Sequence, residues 1–217
     1  MVEILRHISI YAVPLLLAVI AHEVAHGWVA EKLGDPTARL LGRISLNPLV
    51  HVDVLGTVII PLALLITNAP FLFGWAKPVP VQFHRLHGGR KAMAWVALAG
   101  PLTNLMLAAV SALVYRTVIF LFGIGMASGG LGLVLHPLYL MARFSVTFNL
   151  VLMAVNLFPV PPLDGGRVLT GLLPQALAFQ LARLERYGML IVLLFMATGW
   201  WGTLLRPVVN LFARILL

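Results

Sequence analysis

Apolar runs long enough to span a membrane, separated by short polar stretches, set the pattern of this chain. Residues 8–30 carry one formally charged side chain, Glu23. At about 1.5 Å per helical residue they suffice to cross a hydrocarbon core about 30 Å thick. Residues 54–76 and 92–115 carry no charge, and the second run extends past Arg116 to 122. Residues 144–163 and 187–205 are likewise uncharged. Between the first two runs, Gly34, Asp35-Pro36, Gly42 and Asn47-Pro48 mark a loop, in which the partial alternation of 39–46 predicts a short strand or hairpin. Residues 77–91 form a polar connection, and five glycines within 123–132 predict a turn. Three prolines and two glycines in 156–167 stop any continuous helix there. A shorter helix is expected over 168–182, bent at Pro174, and the tail 206–217 is expected along the membrane surface. Trp200 and Trp201 are expected in the headgroup belt.

The pattern predicts an all-α polytopic membrane protein. It should be a bundle of about five to six transmembrane segments, with short extended or hairpin elements in loops and a broken helix at the Pro-rich Leu163-Asp164-Gly165 segment. Residues 1–217 are expected to form one membrane-embedded domain with no separate soluble domain, and no internal repeat is visible.

Composition sharpens this reading. Of the 217 residues 61% are hydrophobic and only 10% charged, against roughly 25% charged in soluble domains. A cytosolic enzyme, a disordered tail and a nucleic-acid-binding module are therefore excluded as leading classes. The formal charge of +8 lies mostly between apolar runs, where it suits anionic lipid headgroups and topology rather than nucleic acid. The absence of cysteine removes disulfides, thiolate ligands and a cysteine nucleophile. Residues 1–7 faintly imitate a signal peptide, but no cleavage site follows, so the first run is expected to be retained.

Chemistry concentrates in that run, where His22-Glu23-Val24-Ala25-His26 forms an HExxH. On a helix the two imidazoles fall about one turn apart on one face and can share a Zn²⁺, with Glu23 flanking them to hold a water. A Glu and two His within an apolar helix each need a partner. A catalytic zinc usually has a third protein ligand. Glu31 projects to the opposite face of the helix, and Lys32 stands where an elongated three-histidine motif needs His. The distant candidates are Asp164, Asp53 and His51, with His84, His87 and His136 behind them. Asp164 is favoured because it follows the Pro-rich break and precedes two glycines that permit close backbone approach, although an Asp there also suits a helix N-cap.

Together these landmarks resemble the site-2 protease family of intramembrane zinc metalloproteases (peptidase family M50), in particular a small prokaryotic member without a PDZ or CBS domain. The resemblance covers the HExxH, Gly100-Pro101-Leu102-Thr103-Asn104, Asn47-Pro48 with His51 and Asp53, and the segment from Asn156 to Gly166. It implies one Zn²⁺ per protomer held by His22, His26 and Asp164, with Glu23 as catalytic base. It further implies cleavage of a transmembrane segment of another protein, in the cytoplasmic membrane, with water reaching the metal from the cytosolic side. Asn104 and Asn156 are the expected substrate-positioning residues. Asn104 also suits a plain interhelical hydrogen bond, and Asn149, seven residues before Asn156, suits the same inner face.

Residues 74–81, Gly-Trp-Ala-Lys-Pro-Val-Pro-Val, read either as an extended segment that arranges substrate or as a surface loop anchored by Trp75. Arg39 and Arg43 read as headgroup contacts. The expected partners are a transmembrane protein substrate, membrane lipids and an unidentified membrane-protein regulator, with no nucleic acid. The competing classes are a zinc hydrolase of another membrane amide, an ion or metal transporter using intramembrane His, Asp and Glu, and a non-catalytic protease-like scaffold. A Glu beside a two-His pair favours hydrolysis over transport.

Overall fold

The computed structural model describes residues 2–67, 74–126 and 129–217, with the side chains of 2–9, 65 and 201 excepted. The chain begins with α1, Val2–Lys32. Beyond it the Asp35 carboxylate accepts hydrogen bonds from the Thr37 N–H and hydroxyl, starting the four-residue helix α2, Thr37–Leu40. That turn replaces the hairpin expected over 39–46, and no strand occurs among the described residues.

The run expected as a second span does not cross. A π-helical turn, Val54–Ile59, leads into α3, Ile60–Ile66, and by residue 74 the chain is extended. The Trp75 N–H donates to the Gly56 carbonyl at 3.1 Å, and the Trp75 indole covers Gly56 where any Cβ would stand. The run therefore returns to the level at which it began. The helical part among its described residues, thirteen residues or about 20 Å, is too short to span, and residues 68–73 of the run lie outside the described residues.

The long helices α4, Gly89–Gly123, and α5, Gly130–Asn156, follow, joined by the expected glycine-rich turn. After the Pro-rich break come α6, Asp164–Leu172, and α7, Gln175–Arg183, separated at Pro174. The last two are α8, Glu185–Ala197, and α9, Trp200–Leu216, parted at Gly199, whose φ of 72° favours glycine. Among the described residues three helices are long and apolar enough to cross a membrane, and a fourth span results if α8 and α9, bent by 84°, are counted as one. This corrects the expected five to six. The expected tail is the second half of α9, and its Val209, Phe212, Ala213 and Leu216 pack on the bundle.

Helix α4 is the centre of the bundle. Ala108 and Ala112 pack against Val146, Leu150 and Met153 of α5, and Ala92 and Val96 pack against Ala30 of α1. Small residues on this face let backbones approach, and in lipid such packing holds helices together without a hydrophobic drive between them. Gly171 of α6 illustrates it, since an added Cβ would sit 2.5 Å from the Arg90 carbonyl oxygen. The outer face of α4 exposes Trp95, Leu102, Met106, Val110, Leu113 and Phe120, apolar surface that suits lipid.

Candidate metal centre

His22 and His26 face the first half of α4, and Asp164 reaches them as the first residue of α6. The His22 and His26 Nε2 atoms are 3.0 Å apart. Asp164 Oδ2 lies 3.1 Å from the first and 3.3 Å from the second. The N-cap position is taken by Leu163, so Asp164 is the first helical residue rather than the cap, and its Oδ2 is turned to the imidazoles. Among the described residues these three form the one group able to share a metal ion.

The backbone arranges this meeting through close approaches that only glycine permits. An added Cβ at Gly100 would lie 2.5 Å from His22 Cε1 and from His26 Nε2, so α4 can back both rings only with glycine there. Gly165 and Gly166 similarly lie against the carbonyls of Leu157 and Phe158 and the Val160–Pro161 peptide, folding the broken segment tightly enough to bring Asp164 inward. An added Cβ at Gly188 of α8 would collide with the Pro161 carbonyl on the other side of the break.

Hydrogen bonds fix which ring nitrogens face the centre. His26 Nδ1 is 2.7 Å from the Val96 carbonyl, an acceptor only, so Nδ1 carries the proton. His22 Nδ1 is 2.6 Å from Asn104 Oδ1. The Asn104 amide is oriented because its Nδ2 donates to the Ala18 carbonyl at 3.2 Å and to Asn149 Oδ1 at 2.9 Å. Asn149 is fixed in turn by donating to the Ser145 carbonyl at 2.9 Å. In neutral imidazoles both Nε2 lone pairs therefore point at one another and at Asp164 Oδ2, a buried oxygen with no hydrogen-bond donor. Ligand atoms about 2.0–2.1 Å from a tetrahedral ion are about 3.3–3.4 Å apart; the observed separations are close to this, and the donor set of two imidazoles and a carboxylate suits zinc. The residues fit a divalent metal.

Glu23 is half-buried beside the pair, and its Oε2 accepts the Val79 N–H at 2.8 Å. Of the other candidates, His51 Nε2 donates to the Ser45 carbonyl at 2.8 Å, and Asp53 Oδ1 accepts the Gly56 N–H at 2.7 Å. Both serve local turns, and neither joins the group. Asn104 is fully buried and occupied by His22, Ala18 and Asn149, which makes it the partner of a histidine rather than a surface for substrate. Asn156 ends α5, its Nδ2 bonded to the Leu152 carbonyl at 3.0 Å. Sequence reasoning placed Gly100 in a motif without its role against the two rings, missed Ser145 and misread Arg43 as a headgroup contact. Arg39 pairs with Glu31 through two hydrogen bonds. Arg43 is buried and donates to the carbonyls of Val50, Lys77 and Pro78.

Comparison with known proteins agrees with this geometry. The Peptidase family M50 pattern matches residues 123–198, a stretch that contains Asn156 and Asp164. YwhC of Bacillus subtilis (strain 168), whose name marks it as a candidate zinc metalloprotease, is 36% identical over 200 residues, covering 91% of this chain and 84% of that protein. Rip2 of Mycolicibacterium smegmatis, named in the same way, is 26% identical over 187 residues, 84% of this chain and 64% of that protein. No solved structure matches the chain. The extent of the likeness to YwhC and the family pattern around Asp164 are sufficient for assignment: the chain belongs to peptidase family M50, the site-2 proteases.

Proposed function

We propose that this protein is a zinc-dependent intramembrane endopeptidase of the cytoplasmic membrane, hydrolysing a peptide bond in or near a transmembrane segment of another membrane protein. The observation that carries the proposal is the convergence of His22, His26 and Asp164 beside Glu23, in a bundle whose helices α1, α4 and α5 are apolar enough to span. A zinc ion held by the three residues supplies a Lewis acid for the scissile carbonyl and lowers the pKa of a water toward about 7.

The protein's own groups do the rest. The Val96 carbonyl and the Asn104 amide hold the imidazoles with Nε2 inward, as partners of metal-bound histidines commonly do. The Glu23 carboxylate accepts a proton from the attacking water and returns it to the leaving amine. A helical substrate shields its scissile bond in its own hydrogen bonds, so it must unwind locally before attack.

The test is reconstitution in lipid vesicles with a panel of single-span substrates, reading fragments by mass spectrometry and zinc by elemental analysis on the same preparations. Wild type should hold one zinc per protomer and create new termini inside or at the edge of the apolar segment. Glu23→Gln should keep zinc and lose at least about 100-fold in turnover, whereas His22→Ala should lose both. Near-wild-type turnover by folded Glu23→Gln would defeat the base assignment, and metal-dependent ion flux without hydrolysis would replace the enzyme with a transporter.

A further inference from the structure

Residues 74–82 run extended past the HExxH helix, and the N–H groups along one edge are bound to other parts of the protein. The Trp75 N–H donates to the Gly56 carbonyl and the Lys77 N–H to the His51 carbonyl, at 3.1 and 2.8 Å. The Val79 N–H donates to Glu23 and the Gln82 N–H to Asp35 Oδ2, at 2.8 and 2.6 Å. Carbonyls are engaged as well: Trp75 O accepts the Thr57 hydroxyl, and Lys77 O and Pro78 O accept the Arg43 guanidinium at 2.6 and 3.3 Å. Pro78 and Pro80 have no N–H, so ordinary strand pairing along this segment would be incomplete. A buried cation donating to successive carbonyls holds such a segment without a paired strand.

Two features aim the segment at Glu23 in particular. The Val79 side chain packs where Gly27, one helical turn beyond Glu23, has no side chain; an added Cβ there would lie 2.8 Å from Val79 Cγ1. Arg43 grips the two residues immediately before Val79, fixing the peptide whose N–H meets the carboxylate. The other hydrogen bonds of the segment go to Gly56, Thr57, His51 and Asp35, and Val81 packs with Ala30, Ala92 and Val96.

We propose that this strap is the orienting arm of Glu23, with Val79 and Arg43 as positioning residues: the Val79 N–H holds one carboxylate oxygen, leaving the other to meet water, and Arg43 holds the strap that carries it. An anionic carboxylate accepting a backbone N–H forms a charge-assisted bond, shorter and stronger than a neutral one. Loss of orientation at a proton-transferring group lowers turnover more than substrate affinity. The inference rests on the peptidase reading and deepens its account of Glu23.

Val79→Pro deletes one N–H at a position outside any helix or strand, where both neighbours are proline and a residue before proline favours extended backbone, and Val79→Ala keeps the N–H while trimming the side chain. Both are compared with wild type and Glu23→Gln in phosphatidylethanolamine–phosphatidylglycerol vesicles, using the single-span reporter that wild type cleaves. Zinc content, kcat and KM are measured for each. Val79→Pro should retain zinc and show kcat at least about 10-fold below Val79→Ala, with KM within about 3-fold of it. Arg43→Ala should lower kcat in the same sense, with partial recovery in Arg43→Lys, whose ammonium still donates to a carbonyl. Equal kcat in the Val79 variants overturns the arm, as does a rise in kcat on Val79→Pro, which would make the contact inhibitory. An active Glu23→Gln protein would instead overturn the base assignment itself, so the two failures are distinct.

Discussion

Asn104 shows how one side chain can orient a candidate metal ligand without belonging to the ligand set. Its Oδ1 receives His22 Nδ1, and its own two N–H groups are committed to Ala18 and Asn149, so it can present only an acceptor to the ring. Asn104→Leu removes the acceptor and frees the ring to take the other tautomer or rotate. Zinc affinity should fall about 10- to 100-fold, the usual consequence of losing such a partner. Asn104→Asp keeps an acceptor toward His22 and should lose less. Competition against a chromophoric chelator in detergent measures both, and equal affinity in Asn104→Leu and wild type would remove Asn104 from the centre. The HExxH was legible because its geometry is local to one helix, and Asp164 because the prolines and glycines around it announce a break. The fit of Gly100 against the two rings and the burial of Arg43 were not, since they arise only when α4 meets α1 and when the strap meets the loop at 43–51. A glycine or arginine in sequence does not say what will lie against it.

At the scale of elements, periodicity and charge located α4 to within a few residues and most of α1, but the uncharged run at 144–163 covers only the second half of α5, which starts at Gly130, carries Arg143 and ends at Asn156. The same rule failed over 54–76. Length and apolarity cannot distinguish a span from a run whose two ends meet, and the Gly56–Trp75 contact is a tertiary fact. The strap that follows depends at its far end on Asp35, which is fully buried. Burial pushes the Asp35 carboxyl up, but the hydrogen bonds from the Thr37 hydroxyl and the Gln82 and Thr37 N–H groups, with the positive field of Arg85, outweigh it and hold the group below the ordinary aspartate range. The sign follows from linkage: its contribution to stability is complete above the unfolded-state pKa of about 3.9 and is lost as pH falls through the lower folded value. Protection of residues 74–82 against hydrogen exchange, taken relative to the intrinsic rate at each pH, should therefore persist down to about pH 4 and fall below it. Asp35→Asn should be less protected at neutral pH, with that acid-dependent fall reduced. A wild-type strap that loosens between pH 5 and 7 would place its acid sensitivity elsewhere.

Across the whole molecule the charges are distributed unequally between the two ends of the bundle. Lys32 closes α1, Arg90 and Lys91 open α4, and Arg167 of α6 lies over Phe83. Arg167 also pairs with Glu185 at 3.5 Å, which brings the Arg183–Arg186 region to the same end. At the other end Arg116 of α4 bonds the Ile215 carbonyl of α9. The excess of Lys and Arg beside the ends of spans marks the cytoplasmic side, so the end bearing Lys32 is expected to face the cytosol. His26 and His22 lie six and ten residues before Lys32, about 9–15 Å along the helix, which puts the metal centre well below the headgroups but nearer the cytosolic end of α1 than the far one. Because the chain has no cysteine, single cysteines at exposed positions can report the topology directly. Cysteine at Lys91 should react with a membrane-impermeant maleimide only in inside-out vesicles, and cysteine at Ile124, in the exposed turn after α4, only in right-side-out ones. The reverse pattern would invert the orientation and place access to the metal on the outer side of the membrane.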